Sequence, residues 1–297
     1  MQTLKLRSFV VSTALVIGSC MVLPSWADET SSDTKALNTQ IAESPMPNEA
    51  SYDTKDLNEQ LVMANLWVQA SGEYKALAYQ AFNLAKMQLD NYLAHHKGKK
   101  RVAVIVDADE TILDNSAYES WLIGKNQSYS SKTWGQWMNA AEAKAIPGSV
   151  AFLQYAAKKG VGVFYITNRT ESSRNATMKN LRELGFPQVT NSHVLLRSDT
   201  SNKEPRRLEV EKHYDVALLM GDNLNDFSKD FKTKTLQQTY AAVEKDKNLF
   251  GTKFIMLPNP TYGDWEGKVY NNDWGASAAE KDKMRKAHLH AWHPKGE

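Results

Sequence analysis

Cysteine is nearly absent from this chain of 297 residues, which contains only Cys20. A single cysteine excludes an intramolecular disulfide framework. A large excess of charge of one sign is also lacking, because 36 lysine and arginine residues nearly balance 34 aspartate and glutamate residues. The formal charge of +2 argues against a nucleic-acid groove or a polybasic membrane arm as the main function. We therefore expect no nucleic acid polymer among the partners of this protein.

A long hydrophobic run is missing as well. The apolar stretch from Phe9 to Gly18 is too short to span a membrane, and no later run approaches the ~20 apolar residues that a span requires. Lys5 and Arg7 precede this stretch, so we interpret residues 1–27 as a secretory signal peptide. The sequence thus predicts an exported protein.

Two cleavage sites compete within this signal. The string SWAD (25–28) has the small-x-small pattern, whereas IGSC (17–20) resembles a lipobox in which Cys20 would be lipidated. We favour cleavage after Ala27, because the apolar residues 21–23 would be an unusual start for a tethered lipoprotein. The expected location is periplasmic or secreted. The alternative is an outer-membrane lipoprotein, with a membrane contact only through the lipid on Cys20.

Composition and periodicity divide the rest of the chain. Residues 28–56 are polar and predict a flexible lead-in, and residues 57–98 predict N-terminal helices. Residues 99–264 alternate apolar strands with helices and form the predicted core, and residues 265–297 form a predicted C-terminal helical segment. An aromatic insertion at about 115–147 interrupts the alternation. We interpret it as a cap over the strand ends.

Apolar segments predict five strands in the core. They are Val102–Val106, Val161–Ile166, Val194–Leu196, Val216–Met220 and Phe254–Leu257. A helix is predicted after the second strand, from about Glu171 to Leu184. Strands that alternate with helices predict the α/β class: a Rossmann-like, mainly parallel sheet flanked by helices, here with a smaller, mainly helical cap.

Polar side chains that can bind phosphate or a metal ion accompany these strands. In chain order they are Asp107, Asp109, Thr111, Thr167, Asn168, Lys203, Asp222 and Asp226. Ligands of open α/β sheets bind at the carboxyl ends of the strands, where most of these residues are expected. A calcium-hand loop is disfavoured, because its sixth position would be Ile112 instead of glycine. A solvated acidic turn is the simpler alternative for the first cluster taken alone.

These motifs and their flanking strings resemble the haloacid dehalogenase superfamily, and within it the bacterial class C acid phosphatases. That branch contains secreted or lipid-anchored 5′-nucleotidases. The supporting strings are YKALAYQA (74–81), DADETILDNS (107–116), FYITNR (164–169), GDNLNDF (221–227) and IMLPNPTYGDWE (255–266). The resemblance covers about residue 57 to the C terminus. It implies a Mg²⁺-dependent acid phosphatase that hydrolyses phosphate monoesters, nucleotides above all, through an aspartyl-phosphate.

The residue types suggest how such chemistry would be divided. Asp107 is the expected nucleophile, and Asp109 the expected general acid and base. A carboxylate that attacks a phosphate dianion needs a cation between them, so we expect Mg²⁺ on Asp107, Asp222 and the backbone carbonyl of Asp109. The resemblance implies the same ion and ligands. Asp226 would complete or orient the metal shell, or serve as a helix N-terminal carboxylate.

Further residues are expected to contact the substrate. Thr167, Asn168 and Lys203 would hold the phosphoryl oxygens. Arg169 could bind phosphate or pair with a helix carboxylate, and both interpretations stay open. The resemblance also implies that two aromatic residues sandwich the nucleotide base, here Trp134 in the cap and Tyr262 after the last strand. Packing of the cap against the core is the alternative for Trp134.

Two other functions compete with a nucleotidase. A phosphatase or phosphotransferase of non-nucleotide substrates is the nearer one, and an envelope binding protein for haem or another planar ligand is the other. Paired carboxylates at strand ends favour the enzyme, because a pure binding protein does not need them. His288, His290 and His293 are interpreted as solvated residues and not as a metal or haem site. The sequence indicates no oligomeric state.

Overall fold

The computed structural model describes residues 52–294, so the predicted signal peptide and most of the predicted lead-in lie outside the described residues. The described part contains seven strands: β1 (Arg101–Val106), β2 (Leu113–Asp114), β3 (Lys144–Ala145), β4 (Gly162–Thr170), β5 (Val194–Arg197), β6 (Tyr214–Gly221) and β7 (Phe254–Met256). Five of them form one sheet in the order β5-β4-β1-β6-β7. All pairs in this sheet are parallel, which confirms the predicted fold class.

Eleven α-helices accompany these strands in the described part of the chain. They are α1 (Thr54–Glu59), α2 (Val62–Ala70), α3 (Gly72–His95), α4 (Ser116–Leu122), α5 (Ser131–Ala140), α6 (Ser149–Lys158), α7 (Arg174–Glu183), α8 (Glu204–His213), α9 (Leu236–Lys245), α10 (Asp264–Val269) and α11 (Ala278–Ala287). None of these helices is both long enough and apolar enough to cross a membrane.

The central strand β1 explains how the core is organised. Five of its six residues are buried, as expected for a strand that is covered on both faces of a parallel sheet. Alternate side chains point to opposite faces. Val102, Val104 and Val106 pack in one cluster with residues of α3 and α6, whereas Ala103 and Ile105 pack in another with residues of α8, β6 and β7. Strand β1 is therefore anchored by packing on both of its faces.

Several predicted boundaries differ from the structure. Helix α1 begins at Thr54, inside the predicted lead-in, because the side chain of Asp53 accepts hydrogen bonds from the first turn and forms a capping box with Asp56. Strand β4 continues to Thr170, four residues beyond the predicted end at Ile166. A short 3₁₀ turn at 171–173 follows, and α7 begins only at Arg174.

The inserted segment leaves and re-enters the core through a small sheet that the sequence did not predict. Strands β2 and β3 pair antiparallel, with Leu113 opposite Ala145 and Asp114 opposite Lys144. Helices α4 and α5 lie between these strands. Tyr118 packs against three other aromatic rings of the insertion, those of Trp121, Tyr129 and Trp134. We call residues 115–147 the cap.

The C-terminal helices are fastened to the N-terminal ones by side-chain contacts. Gln60 donates to Asp282 over 2.5 Å, and Arg285 donates to the side-chain oxygen of Gln60 over 2.9 Å. Arg285 also forms a 2.6 Å ion pair with Glu266. These contacts join α11 to both α1 and α10, so the two ends of the described chain support each other.

Candidate active site

The three central strands bring the predicted carboxylates to one edge of the sheet. Asp107 directly follows β1, and its backbone N–H donates to the carbonyl of Met220 in β6 over 2.9 Å. Asp222 directly follows β6. Thr167 lies within β4, on the other side of β1. The sheet backbone therefore fixes the spacing of these groups.

Lys203 lies between two buried carboxylates. Its Nζ donates to Oδ1 of Asp107 over 2.5 Å and to Oδ1 of Asp226 over 2.6 Å. Burial alone would lower the pKa of Lys203, but the charges of Asp107 and Asp226 outweigh it, and the pKa is raised. Lys203 therefore stays protonated even though its side chain is buried. It immediately precedes α8.

Asp226 has the capping role that was predicted for it, at a short turn, and it also contacts Lys203. Its Oδ2 accepts the backbone N–H of Asn223 over 3.0 Å, which closes a capping box at a short 3₁₀ turn. Its Oδ1 is bound by Lys203. Asp226 is therefore a turn-capping carboxylate that also lies beside Asp107.

Three carboxylates form a cluster that fits a divalent cation. One oxygen from each of Asp107, Asp222 and Asp226 lies within 4.8 Å of the others. Burial raises the pKa of Asp107 well above its usual range; the charge of Lys203 opposes this rise, and the charges of Asp226, Asp222 and Asp109 add to it. Burial and the charge of Asp226 raise the pKa of Asp222 to about 7. This surplus of buried negative charge and the all-oxygen donors suit a hard divalent metal ion.

Hydrogen bonds orient Asp222 toward this cluster. Its Oδ1 accepts the hydroxyl of Thr111 over 3.1 Å, and its Oδ2 accepts the side-chain amide of Asn259 over 2.9 Å. Thr111 belongs to the first predicted motif. Asn259 was not predicted; it lies three residues before Tyr262 in the loop after β7.

The side chain of Asp109 has different surroundings from that of Asp107. Its Oδ1 accepts from Nε of Arg169 over 2.9 Å and from Nδ2 of Asn115 over 3.0 Å, and it lies 2.8 Å from Nη2 of Arg169. Within residues 52–294, its Oδ2 accepts only a long hydrogen bond of 3.4 Å, from the hydroxyl of Thr167. The two carboxylates of the first motif therefore have different cationic partners: Asp107 binds Lys203, and Asp109 binds Arg169.

Arg169 has a carboxylate partner, but not the helix carboxylate that one of its two interpretations predicted. Arg169 pairs with the strand-end carboxylate of Asp109 and not with a helix carboxylate. Only 2% of its surface is exposed. Burial opposes its charge, but Asp109 outweighs this effect and raises the pKa of Arg169. Its Nη1 is buried and has no hydrogen-bond partner among the described residues.

The side chain of Asn168 forms hydrogen bonds away from Asp107 and Asp109. Its Nδ2 donates to the carbonyl of Ser201 over 3.0 Å, and its Oδ1 accepts from Arg206 over 2.7 Å. Because β4 continues through these positions, the side chains of Thr167 and Asn168 point to opposite sides of the strand. The expected side-chain contact of Asn168 with a phosphoryl group therefore has no support in the strand geometry.

The two predicted aromatic residues both lie beside the first motif. Trp134 is half-buried, packs edge-on against Tyr118 at 5.0 Å between ring centroids, and lies 6.0 Å from the guanidinium carbon of Arg169. The hydroxyl of Tyr262 donates to Glu110. The resemblance thus predicted that both rings lie near the site. It did not predict which polar groups they contact.

Glu110 and Asn115 were missed by the sequence analysis. Glu110 adopts a left-handed backbone conformation, with φ of 53°, and its buried side chain accepts the backbone N–H of Asn115 over 3.0 Å. Burial and the charges of Asp109 and Asp222 raise its pKa well above the usual range. Both residues belong to the string DADETILDNS, but periodicity does not reveal a tight turn that folds polar side chains inward.

Comparisons with known proteins agree with this geometry. The family model described as "HAD superfamily, subfamily IIIB (Acid phosphatase)" matches residues 25–265. The chain belongs to this family. The predicted superfamily is confirmed, and so is the predicted class of enzyme, the phosphoric monoester hydrolases.

Two solved structures of the class C acid phosphatase from Bacillus anthracis, one with tungstate bound, are similar to this HAD phosphatase. Each is 43% identical, covers 80% of this chain and 99% of the solved chain, and has a TM-score of 0.76. The predicted class C branch is confirmed by this similarity. Acid phosphatase 1 from Solanum lycopersicum is 30% identical over 129 residues, which are 41% of this chain. The chain spans only 50% of the length of that relative.

Proposed function

We propose that this protein is a Mg²⁺-dependent acid phosphatase that hydrolyses phosphate monoesters, 5′-nucleotides above all, in the cell envelope. The observation that carries the proposal is the cluster of Asp107, Asp222 and Asp226, in which Asp107 and Asp226 both accept hydrogen bonds from Lys203. Beside it lies a second carboxylate, Asp109, with its own partner Arg169. Phosphoryl transfer needs both a nucleophile in a neutralised setting and a separate proton carrier.

Asp107 is the proposed nucleophile. Its position at the end of β1, with Oδ1 bound by Lys203, leaves the second oxygen of the carboxylate for attack on phosphorus. Asp107, Asp222 and the backbone carbonyl of Asp109 would hold Mg²⁺, with Asp226 beside them. When bound, the ion would neutralise charge on the carboxylates and on the phosphoryl oxygens.

Asp109 is the proposed general acid and base. Its Oδ1 is occupied by Arg169 and Asn115, whereas its Oδ2 accepts only the long hydrogen bond from Thr167. Oδ2 is therefore the atom that we assign to proton transfer. It would protonate the departing alkoxide and later take a proton from the attacking water, as in general acid–base catalysis.

Charged and polar groups around these carboxylates would bind the phosphoryl oxygens. Lys203 is protonated and buried next to Asp107, and Thr167 lies beside Asp109. The unpartnered Nη1 of Arg169 is a third donor, and a buried donor without a partner costs about 1–3 kcal/mol. A substrate oxygen at that position would remove this penalty. The tungstate in the related Bacillus anthracis structure supports oxyanion binding by proteins of this kind.

Trp134 and Tyr262 support a nucleotide as the substrate. Trp134 lies over the guanidinium of Arg169, and Tyr262 is held by Glu110, next to Asp109 in the chain. Both rings thus lie near the proposed acid–base carboxylate, where they could stack on a base, and stacking tolerates every base. A phosphatase or phosphotransferase of non-nucleotide substrates is the competing proposal, whereas the family match argues against the expected alternative of a binding protein for haem or another planar ligand.

A phosphate-release panel tests the proposed function. The purified protein would be assayed with nucleoside monophosphates, dinucleotides and sugar phosphates, in Mg²⁺ and after treatment with EDTA. We expect release from nucleoside monophosphates in Mg²⁺ and none in EDTA. Full activity in EDTA would contradict the metal dependence, and release from sugar phosphates without release from nucleoside monophosphates would favour the non-nucleotide phosphatase.

The envelope location rests on residues 1–27, which lie outside the described residues. We propose cleavage after Ala27, which gives a mature N terminus at Asp28. N-terminal sequencing of the exported protein would check this, and Cys20→Ala should leave processing unchanged. Labelled palmitate on Cys20 would instead establish the lipoprotein.

A further inference from the structure

Asn115 connects the cap to the proposed acid–base carboxylate. Its side chain is fully buried, with 0% of its surface exposed. Its Oδ1 accepts from Nε1 of Trp137 over 2.8 Å and from Nη2 of Arg169 over 3.2 Å. Its Nδ2 donates to Oδ1 of Asp109 over 3.0 Å. One amide group thus joins a cap tryptophan, the arginine and the carboxylate.

These partners permit one orientation of the Asn115 amide. An indole N–H and a guanidinium can only donate, and an ionised carboxylate can only accept. The amide oxygen must therefore face Trp137 and Arg169, and the amide nitrogen must face Asp109. A reversed amide would lose all three hydrogen bonds and place donors against donors.

The backbone of Asn115 is held as firmly as its side chain. Its N–H donates to the buried carboxylate of Glu110, and it lies between β2 and α4, where the chain enters the cap. Trp137 lies in α5, 22 residues further along the chain, and packs against the main core cluster. The indole N–H is the direct link from α5 to Asn115.

We propose that Asn115 is a positioning residue, oriented by Trp137, that holds Asp109 so that its Oδ2 faces the leaving oxygen. This inference rests on the proposed function, in which Asp109 protonates that oxygen. With the indole N–H in place, Asn115 occupies Oδ1 of Asp109 and leaves Oδ2 for the proton. Without it, Oδ1 of Asn115 keeps the hydrogen bond from Arg169 but loses its shorter one, so the amide that donates to Asp109 is held less firmly.

Trp137→Phe tests this coupling, because it keeps an aromatic ring and removes the indole N–H. Two substrates of different leaving groups would be compared in Mg²⁺. A nucleoside monophosphate releases an alkoxide that needs a proton, whereas p-nitrophenyl phosphate releases a stabilised phenolate that does not. The parameter is kcat/KM, because it covers only the steps through departure of the leaving group.

We expect kcat/KM for the nucleotide to fall about 5- to 20-fold, the rate equivalent of one hydrogen bond. The value for p-nitrophenyl phosphate should change less than about threefold, since proton donation does not limit its leaving group. Asn115→Ala should produce the same selective loss, larger because the donor to Asp109 is removed. Adding Trp137→Phe to Asn115→Ala should cost nothing further, since both act through one amide.

Trp121→Phe is the matched control. Trp121 is another cap tryptophan, exposed on α4 and outside this hydrogen-bond network. It should leave the ratio of the two kcat/KM values unchanged. Equal losses on both substrates in Trp137→Phe and Asn115→Ala, or a wild-type ratio in both, would overturn the coupling. A wild-type protein that hydrolyses neither substrate in Mg²⁺ would contradict the proposed function itself.

Discussion

The sheet edge and the cap hold their site residues by different means. At the sheet edge, backbone hydrogen bonds between parallel strands set the positions of Asp107 and Asp222, as in the 2.9 Å contact from the N–H of Asp107 to Met220. In the cap, side chains set the positions: Trp137 reaches Asn115 through its indole N–H, and Trp134 packs on Tyr118. The proposed nucleophile and metal ligands at the sheet edge therefore depend on the backbone of the sheet. The proposed contacts of the cap with the substrate depend instead on side-chain packing.

The sheet edge and the cap also differ in the surroundings of their buried carboxylates. At the sheet edge, buried carboxylates surround Lys203, and the cluster fits a divalent cation. In the cap, Glu119 is buried with 7% of its surface exposed, and burial together with the charge of Glu266 raises its pKa to about 7. Lys203 therefore offsets part of the negative charge at the edge, whereas no cation pairs with Glu119 among the described residues and burial favours its protonated form.

The largest effect is expected from Asp107→Asn, which removes the proposed nucleophile while leaving the shape of the side chain. Phosphate release should fall below about 1% of wild type, because an amide cannot form the covalent intermediate. Steady-state assays with equal protein concentrations would measure it, with circular dichroism to show an intact fold. Asp230→Asn, an exposed carboxylate on the surface, is the control and should behave as wild type. Residual activity of several per cent would rule out Asp107 as the attacking group.

Asp222→Ala should weaken the metal site without destroying the sheet edge. We expect the Mg²⁺ concentration for half-maximal activity to rise at least about tenfold, since one oxygen ligand of the cluster is lost. A Mg²⁺ titration of activity after dialysis against EDTA would measure the shift. An unchanged titration curve would place the cation elsewhere and break the comparison between edge and cap.

Trp134→Ala and Tyr262→Ala test the recognition side of the comparison. Each should raise KM for nucleoside monophosphates by roughly five- to a hundred-fold, following from a stacking energy of ~1–3 kcal/mol per base. Hydrolysis of a small substrate without an aromatic group should change little. Equal losses on both kinds of substrate would indicate a folding or cap defect instead.

Tyr262→Phe separates stacking from the hydrogen bond to Glu110. It keeps the ring and removes the hydroxyl that donates to this buried carboxylate. If the ring alone binds the base, KM should stay within about twofold of wild type, because the stacking surface is preserved. A KM as high as that of Tyr262→Ala would show that Glu110 must hold the ring in place.

The smallest effect concerns stability and Glu119. Because its pKa is raised from 4.5 to about 7 in the folded state, the folded protein binds the proton more tightly than the unfolded chain. This contribution to stability is complete below pH 4.5 and is lost as the pH rises to about 7. Glu119→Gln should remove that loss and raise the free energy of unfolding near neutral pH by about 1–3 kcal/mol.

Chemical denaturation at about pH 5 and about pH 8 would check this prediction. The variant should gain stability over wild type at the higher pH and little at the lower one. Glu142→Gln, at an exposed position of the cap, is the matched control and should show no such pH dependence. A uniform change at both pH values would mean that Glu119 does not hold a proton in the folded protein.

Much of the framework could be predicted from the sequence. Apolar runs of strand length marked all five strands of the sheet, and the carboxylates after β1 and β6 were expected at one edge. The physical reason is local: a run such as Val102–Val106 can be buried on both faces only inside a parallel sheet. The carboxyl ends of parallel strands then meet at the same edge, and the polar residues there meet with them.

Only the tertiary structure decided the partners of individual side chains. The extension of β4 turned Asn168 away from Asp107 and turned Arg169 inward to Asp109. The left-handed turn at Glu110 brought this residue to Tyr262 and to the backbone of Asn115. Most of these contacts join residues far apart in the chain, and all of them depend on where a strand ends or a turn reverses. Periodicity records which face of an element is buried, but it does not record which side chain from another element lies against it.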